Sequence, residues 1–187
     1  EILKTEEIDP SISIEIEKDI DRLQTITDRF SKIGSIPVLE LHDIVKETQN
    51  AYEYLQFRFS KQIAFSFKAP ESPIYGMINP TLHSWTIENL VKNAIDAMKG
   101  RGTLDLLIEQ DANLIKINVK DSGTGISKKQ FKTIFEPGFT TKKRGWGLGL
   151  SLTKRIVEEY HNGKIKVLQS EIGKGTTFQI SLNKKVP

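Results

Sequence analysis

The first regular pattern along the chain is an apolar seam over residues 9–34. Apolar side chains recur there at alternating four- and three-residue steps, interrupted by Asp19, which predicts one long helix. Asp9 can cap this helix and Pro10 suits its first position, while Gly34 ends it. The rhythm is typical of a coiled coil or helical bundle, which needs a partner helix, and a core-facing helix of the same domain fits it equally well. The seam consists of Ile12, Ile16, Leu23, Ile26, Phe30 and Ile33.

Strand and helix patterns are mixed after a turn-like linker at residues 34–37. Short alternating stretches predict strands, and longer stretches with a three-to-four-residue period predict helices. The mixture, with two hairpins late in the chain, indicates an α/β fold in which helices cover one face of a sheet. The predicted strands cover 38–41, 62–68, 74–78, 103–109, 114–121, 164–170 and 176–182; the predicted helices cover 42–59, 80–99 and a stretch after 149 that ends near 161.

The amino-acid composition excludes several kinds of site and several classes of protein. The 187 residues are 37% hydrophobic and 27% charged, as in an ordinary soluble protein. The absence of cysteine excludes disulfides, zinc–thiolate sites and thiol catalysis. No apolar run approaches the roughly 20 residues of a membrane span, and we expect neither a signal peptide nor membrane contact by this chain.

The net charge of +3 hides an asymmetry along the chain. Residues 1–50 carry 12 acidic and 6 basic side chains, whereas residues 127–187 carry 4 acidic and 13 basic ones. A basic end suits nucleic acid, an acidic membrane surface or the phosphate of a small ligand. A solvated basic face, without a ligand, fits the same counts.

The predicted helix over 80–99 carries an uncharged polar stripe beside its apolar face. Thr86, Asn89, Asn93 and Asp96 fall at three- and four-residue steps. Two asparagines one turn apart can offer amide oxygens to Mg²⁺ or to its bound waters. Amides on an ordinary helix surface explain the same pattern.

A glycine-rich segment, Asp121-Ser122-Gly123-Thr124-Gly125-Ile126, directly follows a predicted strand. An aspartate at a strand end can accept a hydrogen bond from an exocyclic amine, and glycines let the backbone approach a flat ring. A simple Asp-Gly turn is the alternative interpretation.

Two further glycine-rich segments lie towards the end of the chain. Glycines at 145, 147 and 149 open a helix, next to hydroxyl and cationic side chains at 140–144, and this combination suits phosphate. A flexible basic loop before a helix fits either half alone. A glycine turn at 173–175 joins two strands and needs no function, although the hydroxyl of Thr176 could face the same pocket.

In order along the chain, the segments E-N-L-V-K-N-A, D-S-G-T-G-I, F-E-P-G-F-T-T-K, G-W-G-L-G-L and G-K-G-T-T-F resemble the five conserved boxes of sensor histidine kinases. The resemblance covers about residues 38–187 as the ATP-binding catalytic domain. It implies a two-layer α/β sandwich of the Bergerat type, found in the GHKL ATPase superfamily, with a mixed sheet backed by three helices. A long N-terminal helix would precede this sandwich.

The resemblance implies ATP and Mg²⁺ as cofactors and assigns roles at the base and the metal. Asp121 would bind the adenine amine, partly through water, and Thr176 would support it. Asn93 would ligate Mg²⁺, and Asn89 would line the phosphate side one turn earlier. Asn89, Asn93 and Lys142 would form the catalytic set. Further nucleotide-binding positions are Asp96, Gly123, Gly125 and Ile126.

The resemblance also implies a lid, which we define as residues 127–147. Three phenylalanines would anchor it: Phe131, Phe135 and Phe139. Two positions depart from the family pattern. Gly138 replaces an aromatic residue, which predicts a less firmly anchored lid, and Trp146 replaces a small residue, with a ring that either packs on the lid or obstructs its closed position. The phosphate-facing set is Thr140, Thr141, Lys142, Arg144, Gly145, Gly147, Leu148 and Gly149.

The resemblance divides the chain into two parts. Residues 1–34 would be the last helix of the dimerisation and phosphoacceptor hairpin, and residues 35–187 the catalytic domain. The implied partners are a response regulator receiver domain and, in the full-length protein, a second copy through the N-terminal helix, with no nucleic acid. The implied location is cytoplasmic, and anchoring of the full-length protein in the inner membrane stays open.

Within this superfamily, phosphoryl transfer is favoured over hydrolysis. Hydrolytic relatives carry a glutamate four residues before the metal-binding asparagine, where it activates water. Asn89 occupies that position here, and Glu88 is rotated by about 100° around the helix. The alternatives are a hydrolytic ATPase, a serine-kinase anti-sigma factor, against which the seam of residues 12–33 argues, and a nucleotide-binding scaffold without transfer.

None of the three histidines fits the phosphoacceptor. His42 lies after the predicted dimerisation helix, and His83 and His161 are interpreted as ordinary surface or packing residues. We therefore expect the acceptor upstream of Glu1 and no autophosphorylation by this chain alone.

Overall fold

The computed structural model describes Ile20 and residues 37–59, 62–142 and 146–186. The chain divides into two units, Glu1–Pro37 and Val38–Pro187, and the second contains every element discussed below. The predicted helix over 9–34 lies outside the described residues, apart from Ile20, which is helical.

The second unit alternates strands and helices in the predicted order. The stretch after β5 holds two short 3₁₀ turns, and a π-helical turn extends α3 through Ile156–Tyr160. No helix in the described residues is both long and apolar enough to cross a membrane. The elements are β1 (Glu40–Asp43), α1 (Ile44–Phe59), β2 (Ile63–Lys68), β3 (Tyr75–Ile78), α2 (Pro80–Ala97), β4 (Gly102–Gln110), β5 (Leu114–Asp121), α3 (Gly149–Arg155), β6 (Lys164–Glu171) and β7 (Gly175–Lys185).

The seven strands in the described part of the chain form one mixed sheet. Its order is β1-β3-β7-β5-β4-β2, and β6 also pairs with β7. The β2–β4 pair is parallel, whereas the other pairs are antiparallel. Strand β5 lies between β7 and β4, so its carboxyl end at Asp121 is a central position of the sheet.

The sheet has one apolar face, and the helices cover it. Strand β4 alternates buried and more exposed residues, as expected for a strand with one face in the core. Helix α2 contacts both α1 and α3 on that side. This arrangement confirms the predicted two-layer α/β sandwich. Its buried strand residues include Leu104, Leu106, Ile108, Ile115, Ile117, Val119, Phe178, Ile180 and Leu182.

Some element boundaries differ from the prediction. His42, predicted at the start of a helix, lies in β1 opposite Gly76. Helix α1 begins after Asp43, whose Oδ1 accepts hydrogen bonds from the backbone N–H groups of Val45 (3.0 Å) and Ile74 (3.3 Å). Aspartate is a preferred N-terminal cap, so this start was readable from the sequence. Helix α2 was expected to reach residue 99 but ends at 97, because Lys99 adopts a left-handed φ of 53°.

Two buried histidines lie at the N-terminal end of α2. His83 is 1% exposed, and its Nε2 lies 2.8 Å from the Thr48 hydroxyl of α1. His161 is 5% exposed, and its Nε2 accepts a hydrogen bond from the backbone N–H of Asn79 at 3.0 Å. Both are packing residues, which is one of the two interpretations given from the sequence.

The loop after β5 lies directly on the turn between β6 and β7. Gly173 donates its backbone N–H to the carbonyl of Thr124 at 2.9 Å. A Cβ on Gly125, which has a φ of +73°, would lie 2.1 Å from the carbonyl oxygen of Glu171. Glycine is therefore required at position 125 both for the backbone conformation and for this close approach.

The buried histidines predict a loss of stability in acid. Burial lowers the pKa of His83 to about 3, helped by nearby His161, and burial lowers the pKa of His161 to about 4. An unfolded chain binds protons at these imidazoles below about pH 6.5, whereas the folded chain does not. The stability contributed by the neutral imidazoles is therefore complete above pH 6.5 and falls as the pH drops towards 4. Urea unfolding should show a loss of roughly 3–4 kcal/mol between pH 7 and pH 5.

The variant His161→Gln provides the control for this pH dependence, because a glutamine oxygen can still accept from Asn79. We expect it to retain about half of the acid sensitivity. An unchanged pH profile would contradict the assignment.

The packed loop predicts unequal costs for two glycine substitutions. Gly125→Ala combines left-handed strain with a clash against backbone, so it should lower the free energy of unfolding by at least about 3 kcal/mol. Gly173→Ala is the matched control, because its φ is +82° but a Cβ would meet no atom of the described residues within 4 Å. It should cost only about 1–2 kcal/mol. Equal losses in thermal unfolding would refute the close approach.

Candidate functional site

Asp121 is a buried carboxylate at the end of β5. It is 3% exposed, and its Oδ1 accepts the backbone N–H of Gly123 at 2.7 Å. Burial raises its pKa, while the N–H groups of Gly123 and Thr176 act in the opposite direction. A carboxylate held in this way is a strong hydrogen-bond acceptor in a fixed position.

Ser170 joins the two loops beside Asp121. Its Oγ accepts the N–H of Ile126 at 2.8 Å, donates to the carbonyl of Gly175 at 3.0 Å and lies 2.9 Å from the Thr176 hydroxyl. The sequence interpretation missed this residue. The available signal was the pairing of β6 with β7, which sets Ser170 opposite Thr176.

The Asp121 loop also touches the C-terminal end of α2. Thr124 donates its N–H to the carbonyl of Ala97 at 3.1 Å. A Cβ on Gly123 would lie 2.7 Å from the carbonyl carbon of Ala97, so this position has no room for a side chain. The contact brings the loop to the end of the helix that carries the predicted metal-site residues.

The polar side chains near the end of α2 hold a cation from the lid. The Lys142 ammonium donates to Asn93 Oδ1 at 2.9 Å and to Asp96 Oδ2 at 2.5 Å. Lys142 and Asp96 are 42% and 54% exposed, so the ion pair is screened and contributes at most about 1 kcal/mol. This end of the site is open to solvent.

Asn89 lies one turn before Asn93 and faces the start of α3. Among the described residues its buried Nδ2 has no hydrogen-bond partner, and its Oδ1 would lie 3.7 Å from a Cβ built on Gly149. Thr86, from the same predicted stripe, is buried and bonds the carbonyl of Leu82 instead. Of the four residues in the stripe, Thr86 therefore has a structural role. The other three side chains, Asn89, Asn93 and Asp96, lie nearer the lid and α3.

The lid is anchored by the predicted phenylalanines. Phe135 is buried and meets Phe178 edge-on at 6.2 Å between ring centroids, and Phe131 and Phe139 pack against the core. Thr140 Oγ1 accepts the N–H of Lys142 at 3.1 Å.

The two departures from the family pattern have structural outcomes. The N–H of Gly138 donates to the carbonyl of Gly147 at 3.1 Å, so a backbone hydrogen bond ties the lid at this point. A Cβ on Gly147 would lie 2.4 Å from the carbonyl carbon of Gly138. Trp146 is 68% exposed, so most of its surface is open to solvent.

The predicted positions fall into three neighbouring groups. Asp121, Gly123, Gly125, Ile126 and Thr176 surround the end of β5; Asn93, Asp96, Thr140 and Lys142 lie between α2 and the lid; and Asn89, Gly147, Leu148 and Gly149 lie at the start of α3. Thr141 is exposed beside Lys142. Arg144 and Gly145 lie outside the described residues.

A family model described as "Histidine kinase-, DNA gyrase B-, and HSP90-like ATPase" matches residues 81–186, more than half of the chain. Sporulation kinase A of Bacillus subtilis is 46% identical over 97 residues, which cover 52% of this chain and 16% of that protein. Sensor histidine kinase ZraS of Salmonella typhimurium is 34% identical over 171 residues, which cover 88% of this chain and 36% of that protein. The chain thus spans about a third or less of the length of these curated relatives.

Solved structures agree with these sequence matches. The catalytic domain of histidine kinase ThkA superposes with a TM-score of 0.71 at 28% identity, covering 78% of this chain and 97% of that domain. ThkA in complex with response regulator TrrA gives a TM-score of 0.76 at 26% identity, covering 97% of this chain and 52% of that one. Together with the five motifs and the sandwich fold, these matches show that the chain belongs to the family of histidine kinase-, DNA gyrase B- and HSP90-like ATPases, with the ATP-binding catalytic domain of histidine kinases as its counterpart.

Proposed function

We propose that this chain supplies the ATP-binding catalytic domain of a sensor histidine kinase, which transfers the γ-phosphoryl group of ATP to a histidine on a dimerisation hairpin. The observation that carries the proposal is the set of contacts joining the buried Asp121 loop, the end of α2 and the lid. A nucleotide needs these three features next to one another, for its base, its metal and its phosphates.

The base is recognised at the closed end of the site. The Asp121 carboxylate accepts a hydrogen bond from the exocyclic amine of adenine, because it is buried and held in place by two backbone N–H groups. The backbone at Gly125 and Ile126 lies against the flat ring, and the adjoining Gly123 has no side chain to obstruct it. Family membership supports ATP as the nucleotide.

The metal site uses amide and carboxylate oxygens. Asn93 and Asp96 already hold a cation, the Lys142 ammonium, so their oxygens fit Mg²⁺ or its bound waters. Asn93 and Asp96 would hold Mg²⁺ there, and the metal would supply positive charge to neutralise the phosphates. The Lys142 ammonium, at the same position, would supply a second cation for a phosphate oxygen.

Asn89, the sequence neighbour of Glu88, favours transfer over hydrolysis. An amide cannot act as a general base, and the buried Asn89 Nδ2, which lacks a partner in the described residues, is a donor for a phosphate oxygen. Glu88 is paired with Lys92 at 2.5 Å on the neighbouring face of α2. Phosphoryl transfer needs chiefly positioning and charge neutralisation, which the amide, the lid lysine and the metal supply.

The acceptor histidine is not one of the three in this chain. His83 and His161 are buried. His42 is 26% exposed and lies between two carboxylates, 3.5 Å from Glu40 and 3.4 Å from Glu47. The negative charge around His42 repels a nucleotide. The acceptor is therefore on another helical segment or another subunit.

The surrounding assembly follows from the same proposal. Residues 1–34 belong to the dimerisation hairpin, and residues 35–187 form the catalytic domain. A second copy pairs through the N-terminal helix, and the phosphoryl group passes to a response regulator receiver domain, as the complex of ThkA with TrrA suggests. The domain works in the cytoplasm.

Asp121→Asn should reduce ATP binding below the detection limit of calorimetry, because the amide cannot replace the charged acceptor. The fold, measured by circular dichroism, should survive. Asp105→Asn, on neighbouring β4, is the matched control and should bind ATP as the wild type does. Unchanged affinity in Asp121→Asn would remove this residue from the adenine role.

Mixed with the dimerisation and phosphoacceptor hairpin that the proposal requires, Mg²⁺ and labelled ATP, the chain should produce acid-labile phosphohistidine on the hairpin. Chelation of Mg²⁺ should abolish the product, and Asn93→Ala should slow it by at least about 100-fold. Asn50→Ala, which removes an exposed amide on α1, is the control.

Two outcomes of this transfer assay would favour the alternatives. Release of phosphate without a phosphorylated protein would indicate a hydrolytic ATPase. Acid-stable phosphoserine would indicate a serine kinase.

A further inference from the structure

The three hydrogen bonds of Ser170 restrict where hydroxyl protons can lie. The N–H of Ile126 can only donate, and the carbonyl of Gly175 can only accept. The third contact, with the Thr176 hydroxyl at 2.9 Å, can in principle run in either direction. Ser170 has one proton, so all three contacts are satisfied together only if Ser170 donates to Gly175 and Thr176 donates to Ser170.

This assignment decides what Thr176 can offer to a ligand. The hydroxyl proton of Thr176 points at Ser170, so its Oγ1 has only lone pairs left and can only accept hydrogen bonds from a ligand. Thr176 is 4% exposed, and its backbone N–H donates to the Asp121 carboxylate, which sets the two residues side by side. Both side chains are then acceptors at one end of the base site.

We propose that Ser170 is a positioning residue that determines base selectivity. By holding the Thr176 hydroxyl as an acceptor, it makes the site favour a purine with an amino group at position 6 and disfavour one with an oxo group there. A 6-amino group donates to both acceptors, whereas a 6-oxo group meets their lone pairs. The inference rests on the proposed adenine role of Asp121.

Purine nucleotides that differ at position 6 test this selectivity directly. The dissociation constants of ATP and ITP, measured by calorimetry with Mg²⁺, give a selectivity ratio for each variant. Ser170→Ala frees the Thr176 proton to rotate towards the base, so the preference for ATP over ITP should fall by about tenfold, the effect of one hydrogen bond of roughly 1.4 kcal/mol. Ser170→Thr retains the hydroxyl and should restore the preference.

Two further variants separate selectivity from simple support of the loops. Ser181→Ala removes a hydroxyl elsewhere on β7 and should leave the ratio unchanged. If Ser170→Ala does not fold, Thr176→Val replaces it: it removes the acceptor and should weaken ATP binding more than ITP binding, whereas Thr176→Ser should behave as the wild type does. Unliganded melting temperatures report the folding of each variant.

A selectivity ratio that stays at the wild-type value in Ser170→Ala, or in Thr176→Val, would overturn the inference even if both affinities fall, because equal losses mean that the hydroxyls only support the loops. Failure of the wild-type chain to bind ATP would instead refute the proposed function.

Discussion

The burial of the Asp121 carboxylate is the constraint to which the rest of the site is adjusted. A charged group with 3% exposure is costly unless hydrogen bonds compensate for the lost water. The backbone N–H groups of Gly123 and Thr176 provide them, and each requires its own loop to approach closely. A Cβ on Gly175 would lie 1.9 Å from the carbonyl oxygen of Asp121, so the turn at β7 reaches this position only with glycine.

The two ends of the site have different physical characters. Around Asp121, where we propose that the base binds, side chains are buried and held by hydrogen bonds, which suits discrimination between ligands. Lys142, Asn93 and Asp96, by contrast, interact in a solvent-exposed position, where ion pairs are weak and exchangeable. In the proposed function, a metal–phosphate group would displace this weak pair when the nucleotide binds.

In the proposed function, the choice between phosphoryl transfer and hydrolysis depends on one face of α2. Glu88 and Asn89 are sequence neighbours, but the carboxylate bonds Lys92 while the amide faces the start of α3. Because an α-helix turns by about 100° per residue, Glu88 lies on a different face of α2 from Asn89 and is not placed to act as the general base. Family membership alone does not make this distinction, since the family includes both kinds of enzyme.

The sequence by itself determined the order of the strands and helices, the sandwich class and the positions of the nucleotide motifs, because local periodicity and glycine spacing are local properties. It also indicated Asp121, Asn93 and Lys142 as parts of one site. Only the tertiary structure decided that Lys142 reaches Asn93 and Asp96, that Trp146 is exposed and that Ser170 connects the two loops. The two Lys142 contacts join residues 49 and 46 positions apart, and the contact of Ser170 with Ile126 joins residues 44 positions apart. The contact of Ser170 with Thr176 depends on the strand register of β6 and β7. The hydroxyl direction that we propose for Thr176 also needs the N–H of Ile126 to reach Ser170, and only the packing of the loop on the hairpin brings these two residues together.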